Sequence, residues 1–318
     1  MNIAKTALIL PLLLAAAAAP TVANPVVCSD PNMIAERRTF VNKNVSGPDL
    51  RCKPGSGSPC TITWEGWLYR PIGMVNSHPA IIYLHGHSPE GPDGSVKSEP
   101  CEMAKFFTGQ GYVFFAPLQR GYKANQTLFL GMMSTGTHID TFSGTAVINY
   151  LADEAEDVRD AMTWLKTLSG TGLCQIGQFC PMVDPARIAI MGHSFGGSLT
   201  LFANALSPAL GHAAAVDISG GVLSWNSNWQ AQLEAAIDAS QQPIYMFQNK
   251  NEGSLEPTAD LSARAFRSPH RHQGAMFHTV PTSGGAYTGN PHVDFVMVAA
   301  EIALWGPSVV TFLDTYFP

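Results

Sequence analysis

A glycine-flanked serine between a strand-like and a helix-like segment constrains the fold of this chain most strongly. Ser194 lies in the run Gly-His-Ser-Phe-Gly, which has the pattern G-x-S-x-G. The stretch Arg187–Met191 before it is typical of a buried strand, and Ser198–Leu206 after it is apolar and helical. A sharp turn from strand to helix leaves no room for side chains two residues on either side of the serine, which explains the two glycines. The sequence therefore predicts a strand–turn–helix unit with Ser194 at its apex.

Strand-like segments alternate with helical patterns along most of the chain. The predicted strands cover residues 61–69, 80–84, 112–118, 187–191, 213–218, 243–248 and 276–280. In the clearest helical pattern, one face carries Leu151, Ala155, Val158, Met162 and Leu165. A last helical segment is predicted over Val293–Phe317. This alternation predicts an α/β fold with a mostly parallel central sheet and helices on both faces.

The N-terminus has the pattern of a secretory signal peptide. One lysine precedes an apolar run of about 14 residues, short of the roughly 20 that span a bilayer, and small residues follow near Ala23. The alternative is a membrane anchor, which the short run and Pro11 disfavour. We expect residues 1–23 to be removed, the mature protein to have no membrane partner, and its location to be secreted or periplasmic.

The mature chain divides into a short arm and one domain. Residues 24–60 are polar and rich in Pro, Gly and Ser, which predicts an N-terminal arm over the surface of an α/β domain spanning 61–318. An insertion at about 121–150 and a loop at 219–229 interrupt the alternation. Such insertions at strand ends often form substrate pockets, so Trp225 and Trp229 are candidate pocket residues, whereas a plain surface loop is an equal alternative for residues 121–150.

Charge and cysteine content narrow the classes of partner. The net charge of −6 provides no basic stripe for nucleic acid, and charged residues make up 13% of the chain.

Six cysteines in an exported protein indicate disulfides. Local spacing favours Cys52 with Cys60 and Cys174 with Cys180, which leaves Cys28 to pair with Cys101. A zinc site is the rival interpretation, although no C-x-x-C repeat supports it.

The ordered set of segments resembles the dienelactone hydrolase branch of the α/β-hydrolases that has serine at the elbow. The resemblance covers roughly Ile62–Phe317. The matching segments are Leu84-His85-Gly86, Gln119-Arg120-Gly121-Tyr122, Glu156-Asp157-Val158, Asp184-Pro185-Ala186-Arg187-Ile188, the elbow, Gly220-Gly221 through Trp225 to Gln248, Trp305 and Phe312-Leu313. It implies the α/β-hydrolase fold, with Ser194 as the nucleophile that attacks an ester carbonyl.

A serine hydroxyl needs a neighbouring base, and in this fold the partners follow in the order serine, acid, histidine. His292 lies in a loop between the last predicted strand and the last helix, where the family has its catalytic histidine. His278, within the last predicted strand, is the rival candidate.

The acid is expected just after the strand at 243–248. The family usually shows Asn-Asp where this chain has Asn251-Glu252, so Glu252 is the candidate that would orient His292. Glu256 is the nearest alternative, and Asp294 would have to fold back on its own loop.

Acyl transfer also requires two N–H donors for the oxyanion. The amide of Phe195 follows the nucleophile, and the family position of the second donor is His87, with Ser88 as the alternative. His85 and His87 form an H-x-H pattern without further matched ligands, so we expect neither a metal nor a cofactor. Arg120 either binds a substrate carboxylate or forms a structural ion pair.

These residues predict a secreted carboxylic ester hydrolase that acts on a small-molecule ester through an acyl-enzyme. A serine peptidase or amidase related to the prolyl oligopeptidases is the alternative, although those enzymes usually carry a large extra N-terminal domain. A non-catalytic binding protein on the same fold is the third possibility. The ester, the disulfide connectivity and the oligomeric state are not determined by the sequence.

Overall fold

The architecture comes from a computed structural model that describes residues 28–45, 60–74, 76–86, 94–119, 144–169, 183–206, 208–221, 225, 227–267, 273–278 and 288–318. The strands are β1 (Met33–Val45), β2 (Cys60–Pro71), β3 (His78–Leu84), β4 (Val113–Pro117), β5 (Val183–His193), β6 (Ala214–Ile218), β7 (Ile244–Asn249) and β8 (Gln273–His278). The helices are α1 (Gly94–Gly109), α2 (Gly144–Thr167), α3 (Phe195–Ala205), α4 (Ser227–Ala239), α5 (Glu256–Arg267), α6 (Pro291–Met297) and α7 (Ala299–Tyr316).

The strands form one sheet in the order β1-β2-β4-β3-β5-β6-β7-β8. The six strands from β4 to β8 in this order are parallel, whereas β2 runs antiparallel to both β1 and β4. Since the sheet is mostly parallel and each predicted strand is present within a few residues, this part of the prediction is confirmed.

Each face of the sheet is covered by its own set of helices. Side chains alternate along a strand, so Ile82 and Leu84 of β3 join one core while Ile81 and Tyr83 join the other. The first core contains the apolar faces of α2, α3, α4 and α5, and the second contains those of α1, α6 and α7. The five side chains predicted to share one helix face are all buried on α2. This confirms the prediction of helices on both faces.

The prediction that residues 24–60 form only a polar surface arm is wrong for Met33–Val45. This segment is strand β1, which pairs antiparallel with β2 from Met33 opposite Pro71 to Val45 opposite Cys60. The apolar pattern of this strand is weak because it lies at the sheet edge and carries four charged residues, three of them consecutive. Phe40 still reaches the core, where its ring packs against those of Trp64 and Phe115.

A disulfide joins Cys28, which precedes β1, to Cys101 on α1, with 5.4 Å between the Cα atoms. This is the pair expected by elimination. Of the other proposed partners, Cys52, Cys174 and Cys180 lie outside the described residues.

The predicted single helix over Val293–Phe317 is two helices, α6 and α7, bent by 71°. Val298 separates them in an extended conformation, with φ −102° and ψ 121°. The sequence pattern did not reveal the break because both helices bury their apolar side chains in the same core. His292 consequently lies in the first turn of α6 and not in a loop, which corrects its predicted setting.

Among the described helices, none alone is sufficiently long and apolar to cross a membrane, and the bent pair α6–α7 passes that test only when its two members are taken together.

Candidate active site

Ser194 occupies the turn that connects β5 to α3. Its backbone has φ 58° and ψ −118°, and its N–H donates to the carbonyl oxygen of Ile218 at 2.8 Å. This left-handed backbone is costly for a residue with a side chain, and such strain is concentrated at functional sites. The turn therefore holds the serine in the conformation expected at the apex of a strand–turn–helix unit.

The glycines around Ser194 are required by close backbone approach. A Cβ at Gly192 would lie 2.0 Å from the carbonyl oxygen of Gly196, and a Cβ at Gly196 would lie 2.0 Å from that of Leu84. A Cβ at Gly86 would be 3.3 Å from the Cβ of Ser194. The segment after β3 therefore approaches the serine closely.

The two predicted oxyanion donors differ in how far the structure describes them. Phe195 is the first residue of α3, so its backbone N–H lies at the N-terminal end of that helix. His87 and its alternative Ser88 follow Gly86 but lie outside the described residues, as does Arg120.

His292 and Glu252 form a hydrogen bond across 40 positions of sequence, with 3.0 Å between Nδ1 and Oε2. An ionised carboxylate only accepts hydrogen bonds, so Nδ1 carries the proton and Nε2 is the free acceptor nitrogen. The Glu252 side chain is 1% exposed and that of His292 is 19% exposed. The carboxylate of Glu252 is thus shielded from solvent, whereas the imidazole of His292 is partly accessible to it.

The imidazole of His292 also contacts the residue next to the elbow serine. Its ring centroid lies 4.4 Å from that of His193, with 37° between the planes. Because His193 directly precedes Ser194 in sequence, this contact brings His292 to the elbow.

The start of α6, which carries His292, is fixed by side chains on either side of it. Asn290 caps α6 by accepting from the N–H of His292 at 3.1 Å. Asn249 at the end of β7 donates through Nδ2 to the carbonyl oxygen of Pro291 at 3.1 Å. The same asparagine accepts from the N–H of Asn251 at 3.0 Å, so one residue joins the acid loop to the histidine helix.

The alternative acids have other surroundings. Asp294 is buried, and its carboxylate accepts from the N–H and Oγ1 of Thr288, both at 2.7 Å, and from the N–H of Gly289 at 3.1 Å. These three hydrogen bonds fix the segment that leads into α6. Glu256 is exposed in the first turn of α5.

Besides His292, the described residues after Ser194 include two histidines, the rival candidate His278 and His212. His278 ends β8 opposite Asn249, and nothing further is described of its side chain. His212 is buried, and Nε2 lies 2.6 Å from Oδ1 of Asn204. Burial, assisted by the charge of Lys166, lowers the pKa of His212 to about 3, so it is neutral near pH 7.

Two polar residues at the end of β6 were not predicted as part of the site. Ser219 donates through Oγ to Oε1 of Glu252 at 2.9 Å. Asp217 is buried, and Oδ1 accepts from the N–H of Gly220 at 2.9 Å. Burial raises the pKa of Asp217 to about 7, and the charge of Glu252 adds to this effect while the Gly220 hydrogen bond opposes it. The available signal was the position of both residues at the end of a strand just before Gly220-Gly221.

The prediction that Trp229 is an exposed pocket residue is wrong. Trp229 is 5% exposed and packs in the same core as Leu233 and Ile237 of α4. These three side chains follow one another at intervals of four, so they share the helix face that covers the sheet. Trp225 is partly buried and packs against the same core, and its ring lies beside Gly221.

A family model described as acetyl xylan esterase (AXE1) matches residues 58–218, which is just over half of the 318-residue chain. The chain belongs to the acetyl xylan esterase family. The match includes the elbow with Ser194, whereas Glu252 and His292 follow it in sequence. Membership of this hydrolase family agrees with the predicted α/β-hydrolase resemblance.

Solved structures share the fold of this acetyl xylan esterase family member. A dienelactone hydrolase-like promiscuous phosphotriesterase from metagenomic libraries has a TM-score of 0.56 and 16% identity, and the alignment covers 90% of this chain and 100% of that one. An esterase of Thermogutta terrifontis has a TM-score of 0.51 and 15% identity, with 84% and 91% covered.

The acylaminoacyl peptidase of Pyrococcus horikoshii has a TM-score of 0.55 and 13% identity, with 89% of this chain covered but only 42% of the peptidase. At such identities the likeness establishes the α/β-hydrolase fold, which confirms the predicted fold class. A search of the curated proteins found no significant match.

Proposed function

We propose that this protein is a serine carboxylic ester hydrolase with Ser194, His292 and Glu252 as its triad. The observation that carries the proposal is the 3.0 Å contact between the buried carboxylate of Glu252 and His292, whose imidazole contacts the residue preceding the strained serine. An acid, a base and a serine in this order along an α/β-hydrolase chain are the groups needed for acyl transfer.

In the proposed first step, Oγ of Ser194 attacks the ester carbonyl while Nε2 of His292 takes the hydroxyl proton. Glu252 holds the imidazole in the required tautomer and stabilises the imidazolium that forms. The oxyanion accepts hydrogen bonds from the N–H of Phe195 and from the segment after β3 that approaches the serine, where His87 is the predicted donor.

Collapse of the tetrahedral intermediate breaks the bond to the alcohol, which leaves with the proton from His292. Water then attacks the acyl-Ser194 ester, with His292 accepting a proton from the water. The same imidazole returns that proton to Oγ as the acid is released. These acylation and deacylation steps require no metal or cofactor.

For the substrate, we propose an acetyl ester of a carbohydrate. The support is the family model, whose description is acetyl xylan esterase. Trp225 is retained as a proposed pocket residue because it lies beside the turn that carries Ser219.

We further propose export of the mature protein after removal of residues 1–23. The apolar N-terminal run supports this location, and so does the disulfide between Cys28 and Cys101, because disulfides persist in oxidising compartments.

A peptidase is the second candidate, since the fold is shared with an acylaminoacyl peptidase. The chain spans about two-fifths of that peptidase, so the likeness concerns only part of it. Activity on amide and ester substrates with the same acyl group distinguishes the two candidates.

The test uses purified mature protein with a fluorophosphonate probe, p-nitrophenyl acetate, acetylated xylo-oligosaccharides and p-nitroanilide peptides. We expect labelling of wild type but not of Ser194→Ala, and acetate release in preference to peptide cleavage. Absence of labelling in the folded wild type would favour a non-catalytic binding protein, and preferential cleavage of the anilides would favour the peptidase.

A further inference from the structure

Ser219 lies at the end of β6 in a backbone conformation that is unfavourable for serine. Its φ is 55°, and within the described part of the chain only Ser194 shares a positive φ among non-glycine residues. Ser219 is fully buried, and its N–H donates to the carbonyl oxygen of Phe247 at 3.0 Å. A glycine would adopt this backbone without strain, so the side chain at this position calls for an explanation.

The hydroxyl of Ser219 provides that explanation through Glu252. Oγ donates to Oε1 of Glu252 at 2.9 Å, while Oε2 of the same carboxylate lies 3.0 Å from Nδ1 of His292. Each carboxylate oxygen therefore has a separate partner. The direction of the carboxylate is fixed on the side away from the imidazole.

The backbone around Ser219 is held between the serine helix and the acid loop. The N–H of Gly220 donates to Oδ1 of Asp217 at 2.9 Å, and the N–H of Gly221 donates to Oγ of Ser198 on α3 at 3.0 Å. A Cβ on Gly220 would lie 2.4 Å from that aspartate oxygen. These contacts fix the backbone of the turn, and they therefore limit the positions that the hydroxyl of Ser219 can take.

Glutamate in place of aspartate makes such a contact useful. Glu252 has one more rotatable bond than aspartate, so its carboxylate can take more orientations relative to the imidazole. Its backbone N–H donates to the carbonyl oxygen of Asn249 at 3.2 Å, which fixes the start of the side chain but not its end. The hydroxyl of Ser219 restrains the end.

We propose that Ser219 is a positioning residue that orients the Glu252 carboxylate toward His292. This inference rests on the proposed function, because it concerns the same acid and base. It assigns the strained serine a role in the chemical step and none in substrate binding.

Steady-state kinetics of Ser219→Gly on p-nitrophenyl acetate tests the proposal. Glycine suits the positive φ but removes a hydrogen bond to a buried carboxylate, so the two effects oppose each other and we expect a melting temperature close to that of wild type. We also expect kcat to fall by about 10- to 100-fold, as for other residues that orient a catalytic group, with KM within about twofold. Ser219→Ala removes the hydroxyl while keeping a side chain and should reproduce the fall in kcat.

Ser240→Ala is the matched control, since Ser240 is also fully buried and its hydroxyl donates to the backbone carbonyl oxygen of Ala236 at 2.8 Å. Its kcat should stay within about twofold of wild type. A kcat within twofold of wild type for a folded Ser219→Gly would overturn the proposal.

A double-mutant cycle separates action through Glu252 from a general effect on the turn. In a Glu252→Gln background, Ser219→Gly should cause no further fall in kcat, whereas a fall equal to that in wild type would overturn the proposal. Wild type that neither reacts with the fluorophosphonate probe nor hydrolyses esters would overturn the proposed function as well. Active wild type with an unaffected Ser219→Gly would overturn only the role of Ser219.

Discussion

Nδ1 of His292 lies 3.0 Å from Oε2 of Glu252, although the two residues are 40 positions apart in sequence. Glu252 follows β7 and His292 lies in the first turn of α6, so the contact joins the loop after β7 to the start of that helix. The carboxylate is almost completely buried, and its hydrogen bonds to the imidazole and to Ser219 compensate for the loss of water. The contact between Glu252 and His292 is therefore stabilised by the tertiary structure.

Replacing Glu252 by Gln should lower kcat on p-nitrophenyl acetate by about 10³- to 10⁴-fold with little change in melting temperature. The amide can present an N–H to Nδ1 and so favour the wrong imidazole tautomer. Stopped-flow or steady-state kinetics measures this effect. A loss of less than tenfold would show that another group supplies the acid.

Asp294→Asn is the comparison for that experiment, because Asp294 is the other buried carboxylate near His292 in sequence. Its three hydrogen bonds go to Thr288 and Gly289, so we expect the loop to loosen and the free energy of unfolding to fall by about 1–3 kcal/mol. Activity at 25 °C should remain well above that of Glu252→Gln. The reverse order of activities would identify Asp294 as the acid.

Gly196→Ala should prevent the elbow from forming, since the new Cβ would lie 2.0 Å from the carbonyl oxygen of Leu84. The clash involves backbone and cannot be relieved by a side-chain rotation, so we expect destabilisation of about 3 kcal/mol or more, measured by urea unfolding. Gly109→Ala is the matched control, because nothing lies within 4 Å of its added Cβ. Equal stability of the two variants would contradict the close approach at the elbow.

Asp217 should make the protein less stable as the pH rises from about 4 to about 7. Burial raises its pKa to about 7 in the folded state from an unfolded value near 3.8, so the folded state binds the proton more tightly. Protonation of Asp217 therefore contributes fully to the free energy of unfolding below pH 4, and this contribution is lost as the pH approaches 7. It amounts to at most about 4 kcal/mol.

Urea unfolding of wild type and Asp217→Asn between pH 4 and pH 8 measures this contribution as the difference between the two curves. The stability of the asparagine variant relative to wild type should increase as the pH rises, because the amide of asparagine does not titrate in this range. Parallel curves would mean that Asp217 does not titrate in this range.

Removing the disulfide with Cys28→Ser and Cys101→Ser together should lower the free energy of unfolding by about 2–4 kcal/mol. The two cysteines are 73 positions apart, so the bond closes a long loop that includes β1 and β2. Thermal and urea unfolding provide the measurement, and activity at 25 °C should be largely retained because the bond joins the start of β1 to α1. A melting temperature equal to that of wild type would contradict this role.

Local pattern was sufficient for the parts of the fold that depend on neighbouring residues. The run from Arg187 to Leu206 predicted a strand, a turn and a helix, since period-2 and period-3.6 apolar patterns reflect which side chains must leave water. The helix face of α2 was predicted for the same reason. β1 was not, because this charged edge strand has only a weak apolar pattern and is stabilised by pairing with β2, which is not visible in the local sequence.

Trp229 shows a different kind of error. Its interval of four to Leu233 and of eight to Ile237 places the three residues on one face of α4, whereas the prediction of a loop at 219–229 includes the first residues of that helix. Tryptophan was then assigned to a surface by residue type alone, although burial is decided by helix phase.

The sequence by itself determined the strand–turn–helix unit at Ser194, the buried strands and the candidate positions of acid and base, because these depend on local backbone demands and apolar periodicity. Only the tertiary structure decided that Glu252 meets His292, that Asp294 caps its own loop, and that Ser219 holds the acid. Those contacts join segments tens of residues apart, and their geometry is set by strand order and by hydrogen bonds between loops that no local pattern encodes.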